Sequence, residues 1–119
     1  MKLKEFFIKK RDDYVINQVQ EVKIPMFRVS EIVRYQVHFS GRVQHVGFRL
    51  EVCELAKRLG LTGYCGNLEN GDVLAEFQGM ENKIQFLITF MESLKRIRIR
   101  RKEIKRMELV TAETGFEKR

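Results

Sequence analysis

Residues 39 to 49 read Phe-Ser-Gly-Arg-Val-Gln-His-Val-Gly-Phe-Arg, and the character of the chain changes within them. Before this stretch ends, Tyr35, Val37 and Phe39 alternate with polar residues, which is the period of a strand with one buried face. Beyond it, apolar residues recur at helical spacing. The chain is therefore predicted to pass from a strand through a glycine-bearing loop into a helix. Backbone N–H groups in such a loop, above a helix N-terminus, favour a phosphate-sized anion.

The helix that follows the loop is predicted from Gly47 to Leu59. Its apolar residues are spaced so that they share one face, and they are Phe48, Val52, Leu55, Ala56 and Leu59. Gly60 stands in the usual position for ending a helix. Arg49 lies in the first turn, where the helix dipole disfavours a cation by about 0.3 kcal/mol or more. An anion held by its guanidinium fork would account for that placement.

The rest of the chain supplies the other layers of the predicted fold. Strand-like segments on either side of Asn70-Gly71 predict a tight antiparallel hairpin. A second amphipathic helix is predicted from about 81 to 94, then strand alternation through 97 to 109 and a short edge strand at Gly115-Phe116. This order predicts an α+β, ferredoxin-like βαββαβ sandwich, in which two helices cover one face of an antiparallel sheet and the other face stays open.

The first 33 residues follow neither period for long, so we predict an N-terminal extension of uncertain structure at 1–33 and one domain at 34–119. Three interpretations of the extension are open: a strand or helix added to the open sheet face, a flexible tail, or a translation artefact, since Met26 is a later available start. The second helix carries more phenylalanine than one face needs, at Phe86 and Phe90. We therefore hypothesise that Phe6, Phe7 and Ile8 pack on the body or on a second copy. The 33 residues have too short an apolar patch for a secretory signal.

Composition limits the class of protein. A chain of 119 residues with 44% apolar and 33% charged residues is expected to form one globular domain. No apolar run approaches the roughly 18 residues that span a bilayer, so we expect no membrane partner and a cytoplasmic location. The two cysteines, Cys53 and Cys65, form no zinc pattern with His38 and His45 and are expected to be core residues. We expect no metal and no cofactor.

The net charge of +7 is concentrated in one part of the sequence, which we call the basic patch (residues 95–106). From 92 to 106 there are eight Lys or Arg against two Glu. Such a patch can steer anionic substrates or bind nucleic acid through phosphates. It can also blunt the edge of a sheet against aggregation, and this second interpretation is favoured. No aromatic residues are interleaved in the patch, as base stacking would require, so a nucleic-acid partner is not expected.

Two motifs together resemble the paired signature of the acylphosphatases. The first is Gly-Arg-Val-Gln-His-Val-Gly-Phe-Arg at 41–49, and the second is Gly-Tyr-Cys-Gly-Asn-Leu-Glu-Asn-Gly-Asp-Val at 63–73, followed by Gly79. Both occur in the expected order on the expected elements, and the resemblance covers about residues 34 to 119. It implies a hydrolase acting on acid anhydrides, which cleaves the carboxyl-phosphate bond of a small acyl phosphate without metal and without a covalent intermediate.

The resemblance also implies roles for particular residues. Arg49 matches the phosphate-binding arginine, and Asn67 matches the asparagine that orients the attacking water. The phosphate-binding loop, whose backbone N–H groups form the cradle, comprises Val43, Gln44, His45, Val46, Gly47 and Phe48. Phosphate or sulfate is expected in this loop, and a monomer is favoured. The physical logic agrees, because an acyl phosphate already has a good leaving group and needs chiefly to be held and met by an aimed water.

Other residues near the motifs have lesser expected roles. Gln44 is expected to brace the loop through its amide. His45 stands where many relatives have glycine, and a tolerated, solvent-facing side chain is favoured over a proton donor. His38 is expected on a strand face without a catalytic part. Departures from the family pattern include Gly66 before Asn67, where a longer side chain is usual, and Lys118, where an apolar residue is commoner.

Two other classes of function are open. The first is a non-catalytic anion- or RNA-binding ferredoxin-like module that uses the basic patch. The second is an acylphosphatase-like domain serving a larger carbamoyl-transfer enzyme, as in hydrogenase maturation factors. The sequence given has no zinc-finger cysteines, which counts against the second.

Overall fold

The structure, a computed structural model, describes residues 2–119 of the chain. Its elements alternate much as the sequence predicts, with one further helix at the start. They are α1 (Leu3–Glu21), β1 (Ile32–Arg42), α2 (Phe48–Arg58), β2 (Thr62–Asn67), β3 (Val73–Met80), α3 (Glu81–Ser93), β4 (Arg98–Met107) and β5 (Phe116–Lys118). Within residues 2–119 no helix is both long and apolar enough to cross a membrane.

The five strands form one sheet in the order β4-β1-β3-β2-β5. The first four pair antiparallel, as the ferredoxin-like plan requires. β5 pairs parallel with β2, with Phe116 opposite Gly63. The sheet is therefore mixed, whereas the sequence predicts an antiparallel sheet. β4 is an edge strand with exposed side chains along most of its length, so most of the basic patch lies at the edge of the sheet, as expected. A role of the patch against aggregation stays a prediction.

The core lies between the sheet and helices α2 and α3. Its largest fully buried side chains include Phe39, Phe48 and Phe77 from the strands and the start of α2. Phe39 and Phe48 meet edge to face at 5.0 Å between ring centroids, so the loop between them is anchored in the core at both ends. Gly60, with φ at 70°, ends α2 as predicted.

The strand β1 continues one residue past Gly41, where the sequence predicts its end. Gly41 has φ at 125°, and the pairing of β1 with β4 shifts register between Ser40 and Gly41. A glycine here is required because an added Cβ would overlap the carbonyl oxygen of Arg98. Such an irregularity bends a strand locally.

The N-terminal extension is mainly helical and packs on α2, on the helical side of the sheet and not on its open face. Val15 and Val19 are fully buried there. Arg58 donates hydrogen bonds to the carbonyls of Val19 and Val22, at 2.6 and 2.7 Å, and so caps the last turn of α1 with a cation.

The hypothesis that Phe6, Phe7 and Ile8 pack on the body of the domain is wrong. Phe6, Phe7 and Ile8 are all at least 40% exposed. The ring that meets Phe86 belongs instead to Phe27, at 5.6 Å, because the segment after α1 runs back along α3. Packing of the exposed residues on a second copy stays a prediction.

The sheet face opposite the helices is polar and partly covered. Arg34 is 3% exposed there, and its guanidinium donates to Glu76, Gln78 and Glu113. Glu113 belongs to the connection between β4 and β5, which therefore crosses this face. The bond to Glu113 raises the pKa of Arg34 and, with the bond to Glu76, outweighs the desolvation that burial brings.

Candidate active site

A cavity of about 380 Å³ opens beside the loop that joins β1 to α2. Arg49 and Asn67, which come from α2 and the end of β2, both line it, together with most of the phosphate-binding loop. The first motif ends at Arg49 and the second begins at Gly63. The β1-α2-β2 topology brings both motifs to one side of the sheet. The lining residues are Lys4, Ile8, Arg11, Asp12, Val43, Gln44, His45, Gly47, Phe48, Arg49, Leu50, Asn67 and Lys118.

The backbone of the phosphate-binding loop is arranged to donate hydrogen bonds. Within residues 2–119, the N–H groups of Val43 to Phe48 have no protein acceptor, and the first intrahelical bond of α2 runs from the Glu51 N–H to the Gly47 carbonyl at 3.0 Å. Unpaired N–H groups at a helix N-terminus form a region of positive potential. The loop can therefore accept an anion with several backbone donors at once.

Two loop residues have left-handed backbone conformations. Gly47 has φ at 78°, and His45 has φ at 63°. For a residue other than glycine, such as His45, this conformation costs about 1 kcal/mol or more. The side chain of His45 is exposed, as predicted, and it lines the cavity.

Gln44 anchors one end of the loop, as predicted from its amide. Its Nε2 donates to the carbonyls of Leu68 and Asp72, both at 2.8 Å, and so ties the loop to the turn between β2 and β3.

His38 lies on the open face of the sheet, where its Nε2 is 2.7 Å from Oδ2 of Asp72. That contact lowers the pKa of Asp72.

The guanidinium of Arg49 is held by a hydrogen bond to a main-chain oxygen. Its Nη1 donates to the main-chain oxygen of Arg119 at 2.7 Å, and the Arg119 N–H in turn donates to the carbonyl of Cys65 at 2.8 Å. One of the five donors of Arg49 is used in this way, and the main-chain oxygen of Arg119 is its only acceptor in residues 2–119. The remaining donors are available to a ligand of the cavity.

Asn67 is exposed at the end of β2 and lines the cavity, and its side-chain amide has no hydrogen-bond partner within residues 2–119. The space beside it that Gly66 leaves is filled by Arg119, since a Cβ at Gly66 would lie 3.4 Å from the Cβ of Arg119. The guanidinium of Arg119 stacks over the ring of Tyr64 at 4.0 Å.

The buried thiols are confirmed as core residues. Cys53 is 4% exposed and Cys65 is fully buried. Burial raises the pKa of Cys65 to about 12, although the nearby charge of Arg49 opposes the rise. Cys65 is therefore a neutral thiol at neutral pH and not a nucleophile. Within residues 2–119, no group of three or more His, Cys, Asp or Glu side chains is placed to hold a metal ion.

The structure adds residues that the sequence motifs do not contain. Lys4, Ile8, Arg11 and Asp12 of α1 form one wall of the cavity, and Lys118 of β5 contributes another cation. A signal for α1 does exist, because Ile8, Val15, Val19 and Val22 fall on one helical stripe. The charged residues Arg11 and Asp12 interrupt that stripe where an apolar residue would have made it clear.

Arg96 is a second residue whose role sequence reasoning missed. In the sequence it belongs to the basic patch, but its guanidinium turns inward and donates to the Val46 carbonyl at 2.9 Å, to Glu51 at 2.6 Å and to Gln18 at 3.0 Å. It thereby connects the phosphate-binding loop to α2 and α1.

The fold and the site define a ferredoxin-like α+β protein with a loop of unpaired backbone N–H groups between its first sheet strand and the helix after it. The acylphosphatase family model matches residues 35–118. The chain therefore belongs to the acylphosphatase family, whose members hydrolyse acyl phosphates.

Individual relatives agree with the family match. An acylphosphatase of Clostridium beijerinckii is 43% identical over 65 residues, which cover 55% of this chain and 69% of the relative. An acylphosphatase structure from Coxiella burnetii superposes with a TM-score of 0.67 at 28% identity, covering 74% of this chain and 93% of that one. The structure of HypF from T. kodakarensis gives a TM-score of 0.64 at 30% identity over 75% of this chain, but only 12% of HypF is covered.

Proposed function

We propose that this chain is a metal-independent acylphosphatase whose phosphate-binding loop, Arg49 and Asn67 perform the hydrolysis. Residues 34–119 form its acylphosphatase-like domain and residues 1–33 its N-terminal extension. The observation that carries the proposal is the cavity in which unpaired loop N–H groups, an arginine with free donors and an unpaired amide lie together.

Binding of the phosphoryl group is the task of the loop and Arg49. The N–H groups of Val43 to Phe48 donate to the phosphoryl oxygens, and the guanidinium adds a charge-assisted fork. Because these donors are held in place by Gln44, Arg96 and the main-chain oxygen of Arg119, they need little reorganisation when charge develops on the phosphoryl oxygens.

Attack by water is directed by Asn67. Its side-chain carbonyl accepts a hydrogen bond from water and fixes the direction of the oxygen lone pair toward phosphorus. The new oxygen–phosphorus bond forms as the bond between phosphorus and the acyl oxygen breaks, so the acyl group leaves as a carboxylate with the bonding electron pair. The water proton passes to solvent or to the phosphate product. A strong base is not required, since the carboxylate is a good leaving group.

Benzoyl phosphate hydrolysis in EDTA tests the proposal. The wild-type chain is expected to turn the substrate over, and Arg49→Ala to have no measurable turnover. Arg98→Ala is the matched control, because Arg98 is an exposed arginine of β4 outside the cavity. Activity that EDTA removes would contradict metal independence, and full activity in Arg49→Ala would contradict its role.

A non-catalytic binding module that uses the basic patch is the alternative. Part of the patch is already neutralised, because Lys102 pairs with Glu92 and Arg106 with Glu31. If the folded wild-type chain shows no turnover, titration with RNA should test whether the basic patch on β4 binds it. A cytoplasmic location, a monomer in solution, and binding of inorganic phosphate or sulfate in the loop remain our predictions.

A further inference from the structure

The cavity of the phosphate-binding loop continues along α1. A second, shallower cavity of about 470 Å³ shares Lys4, Ile8, Arg11 and His45 with the first and adds Phe7. Lys4, Ile8 and Arg11 are spaced i, i+4 and i+7, so they form one face of α1. The space next to the loop therefore has an apolar part, from Phe7 and Ile8, and a cationic part, from Lys4 and Arg11.

The two ends of the loop lie against different elements. At Gln44 the loop is tied to the turn after β2, the strand that carries Asn67. At Gly47 it touches α1, since a Cβ there would lie 3.0 Å from Cγ2 of Val15 and 3.6 Å from Cδ of Arg11. In an in-line displacement the water and the leaving group lie on opposite sides of phosphorus. With the water at Asn67, the leaving acyl group is on the α1 side.

Cationic side chains predominate around the first cavity. Lys4, Arg11, Arg49 and Lys118 line it, and Asp12 is the one carboxylate among the lining side chains. Arg11 pairs with Asp12 at 3.0 Å, but within residues 2–119 Lys4 has no ion-pair partner.

We propose that α1 forms a subsite for the acyl group and selects acyl phosphates that carry a second carboxylate at the far end of an apolar body. Phe7 and Ile8 contact the body, and Lys4, supported by Arg11, binds the distal carboxylate. This inference rests on the proposed hydrolysis and names the substrate class of that same site. It concerns residues outside the matched family region, which begins at 35.

Two substrates that differ only in the distal group provide the test: benzoyl phosphate and 4-carboxybenzoyl phosphate. For the wild-type chain, kcat/KM is expected to be higher for the carboxylated substrate by about threefold to fivefold, the size of a solvent-accessible ion pair. Lys4→Gln should remove this preference and Lys4→Glu should reverse it. The preference should also shrink in 0.5 M NaCl, because salt screens exposed charges.

Lys9→Gln is the matched control, since it removes the same charge from α1 at a residue outside both cavities. The ratio of the two kcat/KM values should stay at its wild-type level in this variant. Turnover of both substrates with a ratio that Lys4→Gln does not change would overturn the subsite and leave the hydrolase intact. Absence of turnover with both substrates would instead contradict the proposed function, and the subsite with it.

Discussion

The guanidinium of Arg96 donates a 2.6 Å hydrogen bond to the carboxylate of Glu51, which is fully buried one turn into α2. The same guanidinium binds the carbonyl of Val46 in the phosphate-binding loop. Burial raises the pKa of Glu51, and the hydrogen bond and charge of Arg96 only partly offset the rise. The pair is therefore costly to bury, and its evident contribution is to hold the loop against α2.

Arg96→Met should lower the free energy of unfolding by about 3 kcal/mol, because it leaves Glu51 buried without its partner. A folded-state pKa above the unfolded value means that stability falls as pH rises through the interval between them. Loss of Arg96 widens that interval, so urea denaturation should show a larger fall in stability from pH 5 to pH 8 in the variant than in wild type. The double variant Arg96→Met/Glu51→Gln should recover part of the loss. Equal destabilisation at both pH values would contradict this account.

Asn67→Ala should lower kcat for benzoyl phosphate by on the order of 10² to 10³, the cost of losing one positioning group at a reacting centre. KM should change little, because the loop and Arg49 bind the phosphoryl group. Asn70→Ala is the control, since Asn70 bonds to Asp72 within the turn and does not line the cavity. A kcat for Asn67→Ala within threefold of wild type would exclude water positioning by this residue.

Gly47→Ala should be more destabilising than Gly60→Ala, and steady-state kinetics should show reduced activity only in the former. Both glycines have positive φ, at 78° and 70°, so both variants incur the left-handed penalty of about 1 to 2 kcal/mol. Only at Gly47 does the added methyl meet a neighbour, Val15 of α1. Equal melting temperatures in the two variants would show that α1 does not press on the loop in solution.

Glu113→Gln should destabilise the chain by about 1 to 2 kcal/mol at pH 7, because it weakens the charge-assisted bonds to buried Arg34. Arg34 lowers the pKa of Glu113 below its ordinary value of 4.5. A lowered folded-state pKa contributes stability that is present above the unfolded value and is lost as pH falls through the folded one.

The difference between wild type and Glu113→Gln should therefore shrink below about pH 4.5 in denaturation curves. Glu117→Gln is the control: its partner Arg119 is exposed, and an exposed pair contributes about 0 to 1 kcal/mol. A difference that stays constant to pH 3 would show that the Arg34 pair does not stabilise the fold.

Patterns within short stretches of the sequence are sufficient to predict the ferredoxin-like sandwich and to place the two motifs on its elements. Strand alternation before Gly41, the apolar stripe from Phe48 to Leu59 and the Asn70-Gly71 turn are each encoded within a few residues, because period and turn chemistry act locally. The motifs at 41–49 and 63–73 could be predicted to meet once the order of elements was known, since a βαβ connection returns the chain to the same end of the sheet.

Contacts between distant segments determined the rest. Whether residues 3–21 form a helix on α2, a strand or a tail depends on burial of Val15 and Val19, which only the partner surface supplies. Arg96 reads as one cation among eight in sequence, and its inward orientation follows from a buried carboxylate 45 residues away. Lys4 and Lys118 reach the cavity from opposite ends of the chain. The tertiary structure decides whether such a charged side chain is buried or exposed. The reason is that its free energy depends on the groups that surround it in space and not on its neighbours in sequence.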